Sequence, residues 1–501
     1  MEHTYEELRS RLAEVHDLGV IAMLLAWDQR TMMPRGGAPA RADQLATITR
    51  LAHERFVSEE IGRRLDEVTP WAESLDYDSV EASLVRVVRR DYEKAVRVPP
   101  DLRAEMSRAS ALAQPEWEQA RATSDFARFL PHLERGLELE REYVACFDPA
   151  DEEYDILLDD YEPGMKTAEV RAVFNELKAG LVPLIEEIGE RGDVVDASCL
   201  RGAFPVEAQQ EIERAILGAF GFTPDEWRLD ETVHPFAAGG GPRDIRLTTR
   251  HHGDSLTALF ASMHEFGHGA YEHGVDLNLY RTPLGRGASL GIHESQSRMW
   301  ENLVGRSRPF WQRFFPYVRD AFPEQMSAVD AEGFYRAVSK VEPSLIRIEA
   351  DEVTYNLHIV VRFELEQELL TGRLAPADLP EAWDAKMLDY LGIEVPDIAD
   401  GCLQDTHWAM GAFGYFPTYA LGNVVSAQLW DRLRSDLTAL DEQIERGEFD
   451  ALRDWLREHV HQHGRKYMPR ELLERVVGAS LDPQPLLGYL QSKFGEIYGL
   501  S

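Results

Sequence analysis

Apolar residues recur at intervals of three and four along most of the chain, with charged residues between them. The pattern is clear in Thr167–Ile188 and in Pro205–Phe220, where leucine, isoleucine and valine are interspersed with glutamate and arginine. This spacing places the apolar side chains on one face of an α-helix. Because the alternation expected of strands is scarce, the sequence predicts a mainly α fold.

Three further segments predict individual elements. A capping-box pattern at Thr4–Glu7 predicts a helix that starts there and runs to about Gln29. A second long helix-like run covers Ala350–Leu370. A short β-prone piece, Arg246–Arg250, follows the glycine-rich Ala237–Pro242 and predicts an edge strand along which a peptide backbone could pair.

Another predicted helix, Leu256–Tyr271, carries the motif H-E-x-x-H at His264, Glu265 and His268. The two histidines then lie one turn apart on the same helix face. Both imidazoles can reach one zinc ion, and Glu265 can act on a zinc-bound water. The motif therefore indicates metal-assisted hydrolysis, and the alternative is a solvated helix with incidental histidines.

A catalytic zinc site needs a third protein ligand and one position open to water. The next helix-like segment, Gly291–Asn302, offers Glu294 as the first choice and Glu301 as the second. The loop Tyr280–Gly291 is rich in glycine and suits a turn that brings the two helices side by side. His293, beside the chosen ligand, is either a substrate contact or a surface residue.

The charge balance of 53 basic and 88 acidic residues gives a net charge of −35. A nucleic-acid or phosphate-binding surface is therefore not expected, and no basic cluster changes that expectation. The negative field should disfavour strongly acidic peptides as substrates.

The chain has three cysteines, Cys146, Cys199 and Cys402, without metal-binding or C-x-x-C spacing. A reducing compartment suits this usage. The N-terminus lacks a secretory signal pattern, and the longest apolar stretches, such as Val20–Trp27, are too short to span a bilayer. We expect a cytoplasmic protein that binds neither membrane nor nucleic acid.

No repeat and no low-complexity linker divides the sequence. We expect residues 1–501 to form one continuous domain, a two-lobed helical body around a deep active-site cleft, with a small β-sheet near the zinc site. The candidate breaks within it are Thr69-Pro70, Asp148-Pro149, Asp196–Pro205 and Ala237–Pro242.

Several spaced motifs occur in a fixed order along the chain: Trp27-Asp28-Gln29, His234-Pro235-Phe236, Asp244–Thr248, the H-E-x-x-H pentapeptide, His293–Gln296, Ile346–Asp351, Gln404–Trp408 and Phe413–Tyr419. With these motifs the chain resembles the carboxypeptidase Taq family of metallocarboxypeptidases over nearly its full length. The resemblance implies release of single C-terminal residues with broad specificity, poor action on C-terminal proline, and a homodimer.

The resemblance also implies roles for individual residues. His264, His268 and Glu294 would bind one zinc per chain, although cobalt also suits such ligands. Glu265 would take a proton from the zinc-bound water and pass it to the leaving amine. In thermolysin-like enzymes an aspartate four residues after the ligand glutamate orients a histidine, but here that position is Arg298. The groups that orient the ligands are therefore not predicted.

An exopeptidase also needs a cation for the free C-terminal carboxylate, and the planar fork of arginine matches it. Arg347 is the first choice and Arg246 the second. Arg347 could instead form a structural ion pair with Glu349, Asp351 or Glu352. Further substrate contacts are expected from His234, His407, Tyr415 and Tyr419, each of which could instead have only a packing role.

Other functions on the same helical scaffold stay open at this point. A zinc endopeptidase or a dipeptidyl carboxypeptidase would use the same ligands. A non-catalytic peptide-binding protein with a structural zinc is a third alternative, although structural sites usually take four protein ligands.

Overall fold

The computed structural model describes residues 1–500. Helix covers 66% of the chain and strand 4%, which confirms the mainly α prediction. The α-helices in chain order are α1 Glu2–Thr31, α2 Ala38–Phe56, α3 Glu59–Ala72, α4 Val80–Arg97, α5 Pro100–Ala122, α6 Phe126–Val144, α7 Tyr154–Leu158, α8 Thr167–Gly189, α9 Val206–Phe220, α10 Thr257–Gly274, α11 Leu290–Arg298, α12 Arg308–Ala321, α13 Ala331–Val338, α14 Tyr355–Leu370, α15 Leu379–Leu391, α16 Pro417–Asp436, α17 Leu440–Arg446, α18 Asp450–His459, α19 Pro469–Val477 and α20 Gln484–Tyr498. No helix within these 500 residues is long and apolar enough to cross a membrane.

Helix starts differ from the sequence pattern in two places. The capping box predicted at Thr4 is wrong, because α1 begins at Glu2 and the Tyr5 amide already donates to the Met1 carbonyl at 2.9 Å. Helix α14 begins at Tyr355 rather than Ala350. The Asp351 carboxylate accepts bonds from the amides of the second and third residues after it, and this turn delays the helix.

The chain forms two compact units, each assembled from three segments. The first unit contains Met1–Val96, Ala197–Val338 and Leu429–Gly478, and the second contains Arg97–Asp196, Ser339–Gln428 and Ala479–Ser501. One predicted break, Asp196–Pro205, begins at a boundary between units, whereas Thr69-Pro70 lies inside α3. The prediction of a single continuous domain stays a prediction.

A small three-stranded sheet in the first unit packs against α10. Its strands are β1 Trp227–Glu231, β2 Ala237–Gly241 and β3 Asp244–Thr249, in the order β1-β3-β2. β3 pairs parallel with β1 and antiparallel with β2. The predicted edge strand around Arg246 is therefore wrong, since β3 is central and both its edges are occupied.

The glycine-rich segment before β3 is a strand rather than a break in the chain. At Gly239, an added Cβ would lie 2.9 Å from the Asp244 carbonyl oxygen, so only glycine fits this close pairing. Gly241 has a φ of +145°, which the turn into β3 needs and which other residues rarely adopt. The glycine-rich composition predicted a break in the chain here, but pairing with β3 makes the segment a strand.

Large aromatic rings fix α10 within the first unit. Phe266 stacks on Trp227 of β1 with ring centroids 5.2 Å apart, and Trp300 meets Phe266 edge-on at 5.0 Å. All three side chains are buried. Because such packed aromatic contacts resist shifts of the backbone, they hold the H-E-x-x-H helix in one position relative to the sheet.

In the second unit, α14 is buried on nearly all sides and carries polar groups into the core. Arg362 and Glu366 are both fully buried. Buried charges are stable only with partners. Arg362 and Glu366 both bond to residues of the segment 404–414, which contains motif residues named above.

Candidate metal centre and substrate residues

Helices α10 and α11 bring the three predicted ligands together. His264 and His268 project from one face of α10, with ring centroids 4.9 Å apart. Glu294 of α11 lies opposite, and its Oε2 is 3.6 Å from His264 Nε2 and 3.5 Å from His268 Nε2. The three ligand atoms lie within 4.8 Å of one another, the only such group of three within residues 1–500.

The two helices can approach this closely because α10 has glycine at the crossing point. A Cβ on Gly267 would lie 2.4 Å from the Gln296 carbonyl oxygen. The side chain of Gln296, a residue of α11, is held by His461, whose Nε2 lies 2.8 Å from Gln296 Oε1. His461 is buried against Gly274 at the end of α10. The motif glycine therefore sets the separation of the ligand-bearing helices.

Glu301, the alternative ligand in the sequence, orients His264 instead. His264 Nδ1 donates to Glu301 Oε2 at 2.9 Å, and Arg298 and Arg306 donate to the same carboxylate. Glu301 lies in a π-helical turn, Met299–Val304, directly after α11. Such wide turns often occur at functional sites, and sequence periodicity gives no sign of them.

His293 orients the second histidine ligand. Its Nδ1 is 2.7 Å from His268 Nδ1, and its Nε2 is 2.8 Å from Glu272 Oε1. The Gly287 amide also donates to Glu272 Oε1. With His293 Nε2 donating to the carboxylate, its Nδ1 accepts the proton of His268 Nδ1. His268 Nε2 then keeps its lone pair for a metal.

The ligand carboxylate is held by its own helix. Ser297 Oγ donates to Glu294 Oε2 at 3.1 Å, and Arg298 Nε donates to Oε1 at 2.7 Å. Burial opposes ionisation, but the charges of Arg298 and His264 outweigh it and lower the pKa of Glu294. Arg298, which stands where thermolysin-like enzymes have an aspartate, thus connects the carboxylates of Glu294 and Glu301.

Glu265 is buried, and its Oε2 has no hydrogen-bond partner among the described residues. Burial, more than the nearby charges, raises its pKa to about 7. A carboxylate with such a pKa can accept and return a proton near neutral pH. The unpaired Oε2 is therefore available to form a hydrogen bond with a further polar group at this site.

The donor set fits a divalent cation such as zinc or cobalt. Two imidazole nitrogens and one carboxylate oxygen converge, and the outer nitrogen of each imidazole is already bonded. Three protein ligands leave a coordination position for water or substrate, as in catalytic sites.

In the second unit, Arg347 pairs with Asp405, a residue of the Gln404–Trp408 motif that was not among its predicted partners. Its Nη2 donates to Asp405 Oδ1 at 2.8 Å, whereas the predicted structural partners were Glu349, Asp351 and Glu352. Arg362 Nε donates to the other oxygen of Asp405 at 2.7 Å. The cluster joins two cations to one carboxylate and keeps a net positive charge.

The predicted His407 and tyrosine contacts surround Arg347. Tyr419 lies under the guanidinium, with its ring centroid 4.7 Å from the Arg347 Cζ, and its hydroxyl is 3.1 Å from His407 Nε2. The Tyr415 ring lies 5.3 Å from that of His407. All three aromatic side chains are only half-buried, so each keeps a solvent-facing portion.

Glu366 anchors the segment that carries His407 and Tyr415. It accepts hydrogen bonds from Trp408 Nε1 at 2.9 Å and from the Gly414 amide at 3.1 Å. These anchors lie directly after His407 and directly before Tyr415 in the chain. The sequence gives no sign of this role, because Glu366 lies within the regular helical run of α14.

The two remaining predicted contacts lie elsewhere in the first unit. Arg246 forms a bidentate pair with Asp244, at 2.8 and 3.0 Å, and stacks over Trp27. His234 lies in an exposed bend between β1 and β2. Neither residue belongs to the group of converging ligands.

The sequence matches the family described as "Carboxypeptidase Taq (M32) metallopeptidase" over residues 7–494. The chain belongs to this family. It is therefore a metallocarboxypeptidase, a peptide hydrolase that depends on a divalent metal, as the resemblance implied.

Relatives support this assignment over almost the full length. The chain is 44% identical to Thermostable carboxypeptidase 1 of Thermus thermophilus and 37% identical to Carboxypeptidase 1 of Bacillus subtilis, with 99% of each chain covered. The crystal structure of an M32 carboxypeptidase from Deinococcus radiodurans is 41% identical, with a TM-score of 0.96, and the match covers 99% of this chain and 100% of that one.

Proposed function

We propose that this metallocarboxypeptidase releases single C-terminal residues from peptides, with broad specificity, through one zinc ion held by His264, His268 and Glu294. The observation that carries the proposal is the convergence of these three ligand atoms within 4.8 Å. When bound, the metal would polarise the scissile carbonyl and make an attacking water more acidic.

Glu265 is the proposed general base. It accepts the proton of the attacking water and delivers it to the departing amine, so that the released C-terminal amino acid leaves with a neutral amine and the shortened peptide keeps the new carboxylate. Burial of Glu265 raises its pKa and so favours uptake of that proton. The groups bonded to the outer ring nitrogens keep each ligand histidine in the tautomer that presents Nε2.

Arg347 is the proposed partner of the substrate's terminal carboxylate. Its cluster with Arg362 and Asp405 has one more positive than negative charge, so a second carboxylate is electrostatically favoured. The other proposed substrate contacts are His407, Tyr415, Tyr419, Arg246 and His234.

A peptide assay tests the proposal. The same peptide with a free or an amidated C-terminus is incubated with the enzyme, and the products are followed by mass. Stepwise loss of single residues from the free acid alone supports it. Internal cleavage would indicate an endopeptidase, and release of dipeptides a dipeptidyl carboxypeptidase. Binding without cleavage by the metal-loaded protein would leave only a peptide-binding role.

Three further properties complete the proposal: zinc as the native metal and a homodimer, which the resemblance implies, and a cytoplasmic location, which rests on the cysteine usage. Metal analysis of the purified protein distinguishes zinc from cobalt. Light scattering coupled to gel filtration measures the mass in solution, and a mass equal to one chain would remove the homodimer.

A further inference from the structure

Arg286 is an exposed residue on the loop between α10 and α11, next to Gly287, whose amide donates to Glu272. Within residues 1–500, no side chain forms an ion pair or hydrogen bond with Arg286. By contrast, Arg347 and Arg246 are already bonded to Asp405 and Asp244. Of these three arginines, only Arg286 has no hydrogen-bond or ion-pair partner for its guanidinium among residues 1–500.

The turn that carries Arg286 is tightly fixed by glycines on both sides. A Cβ on Gly285 would lie 2.6 Å from the Leu279 carbonyl oxygen, and a Cβ on Gly287 would lie 2.8 Å from the His293 ring. The Arg465 amide donates to the carbonyl of Leu284 at 3.0 Å and holds the start of the turn.

The same turn is bonded to the pair that orients His268. Directly after Arg286, the Gly287 amide donates to Glu272 Oε1, which also accepts from His293. The backbone of Arg286 is therefore adjacent to the orienting network of a proposed metal ligand, and its position is set before any substrate binds.

Neighbouring charges do not neutralise Arg286 by contact. Glu272 is bonded to His293, and Asp91 forms a bidentate pair with Arg465 at 2.7 and 3.1 Å. Desolvation by surrounding protein, followed by repulsion from Arg465, lowers the pKa of Arg286. A cation that is crowded by protein and yet exposed gains most from an incoming anion.

We propose that Arg286 binds an acidic side chain in one of the last two residues of the peptide substrate. The planar guanidinium suits bidentate recognition of a side-chain carboxylate. The proposal rests on the proposed carboxypeptidase function, and it adds a specificity-determining residue on the loop between the two ligand-bearing helices.

The test compares three variants, Arg286→Ala, Arg286→Lys and Arg281→Ala. Arg281 is the matched control, because it lies on the same loop and its removal changes the net charge equally, but its partner is Asp17. The substrates are peptides that end in Ala-Ala, Ala-Glu, Glu-Ala, Ala-Gln and Gln-Ala. About 0.5 M salt, with a screening length of roughly 4 Å, suppresses long-range charge effects.

If Arg286 binds a side-chain carboxylate, Arg286→Ala lowers the ratio of kcat/KM for a Glu peptide to that for its Gln partner by about tenfold, and Arg286→Lys lowers it less. An equal loss of kcat/KM for all five peptides, with the Glu-to-Gln ratios unchanged, would mean that Arg286 does not recognise acidic side chains and would overturn the proposal. Arg281→Ala changes neither quantity. Values for Arg286→Ala within about twofold of those for Arg281→Ala would overturn the proposal.

The proposed function fails separately from this inference. A wild-type enzyme that cleaves free-acid and amidated peptides equally would contradict the carboxypeptidase proposal. The Glu-to-Gln ratios of Arg286→Ala would still report whether this residue recognises carboxylates.

Discussion

The outer nitrogen of each candidate ligand histidine has a hydrogen-bond partner in the protein. His264 donates to Glu301 and His268 donates to His293, so the inner Nε2 atoms face Glu294 with their lone pairs available. Such orienting partners fix the tautomer and the ring position, and they commonly account for one to two orders of magnitude in metal affinity.

Replacement of Glu265 by Gln removes the general base with little change in size. We expect the variant to bind metal as the wild type does and to lose turnover by a factor of about 10² to 10⁴. Metal content and kcat are measured on the same preparation. Activity within about tenfold of wild type would exclude the role of general base.

His293→Asn is expected to weaken the orientation of His268. Chelator competition should show metal affinity about 10- to 100-fold lower. His273→Gln is the control, since His273 is also on α10 but pairs with Glu226. Equal affinities in the two variants would mean that His293 does not support the site.

The sequence predicts the candidate metal ligands but gives no indication of the residues that orient them. Fixed spacing within one helix makes His264 and His268 recognisable. Glu301 reaches His264 only because of a π-helical turn, and Asp405 meets Arg347 from 58 positions further along the chain. Neither contact leaves a periodic signal in the sequence.

Among the secondary-structure elements, the crossing of α10 and α11 determines the geometry of the centre. The two helices meet backbone to backbone at Gly267, so the ligands they carry face each other. Helix periodicity predicted both elements, α10 closely and α11 without the π-turn that follows it. Strand β2 shows the opposite case, because the sequence predicted a break in the chain there. Three consecutive glycines favour a loop locally, but pairing with β3 makes them part of a strand.

Gly267→Ala should separate these two helices. Its methyl group would meet the backbone of α11, which cannot move aside as a flexible side chain can, and we expect destabilisation of about 1–3 kcal/mol with lower metal affinity. Gly218→Ala in α9 is the control, because an added Cβ there meets no atom within 4 Å. There we expect stabilisation of about 0.5–1 kcal/mol. Thermal unfolding with and without metal measures both effects.

Helices α6 and α14 bury acidic groups whose ionisation should make stability depend on pH. Burial, followed by repulsion from Asp160 and Glu366, raises the pKa of Glu140 to about 8. A raised pKa in the folded state gives stability that is complete below the unfolded value and lost as pH rises through the folded value.

Glu140→Gln removes this loss. Relative to wild type, the variant should gain stability between about pH 5 and about pH 8.5, by about 1.4 kcal/mol for each unit of the pKa shift. Glu134→Gln, on the exposed side of α6, is the control. The Tm of each protein is measured at both pH values. A Tm difference between Glu140→Gln and wild type that is the same at both would contradict the assigned effect of burial.

For the whole molecule, the net charge of −35 acts over longer distances than any single contact. Peptides that share their last three residues and differ only in acidic or basic residues upstream should therefore differ in KM at low salt, with the basic peptide favoured. The difference should vanish at about 0.5 M salt. Faster turnover of the acidic peptide at low salt would show that local charge outweighs the net field.

The three segments of the first unit are synthesised at separate times during translation. The helices that carry its candidate metal ligands leave the ribosome long before Leu429–Gly478, the segment that contains His461 and completes the unit. Until then Gln296 lacks the partner that holds α11 beside α10. Domains generally fold as units during translation, so this centre can assemble only after most of the chain has been made. A chain that stops before Leu429 contains every proposed metal ligand and still lacks the segment that holds them in register.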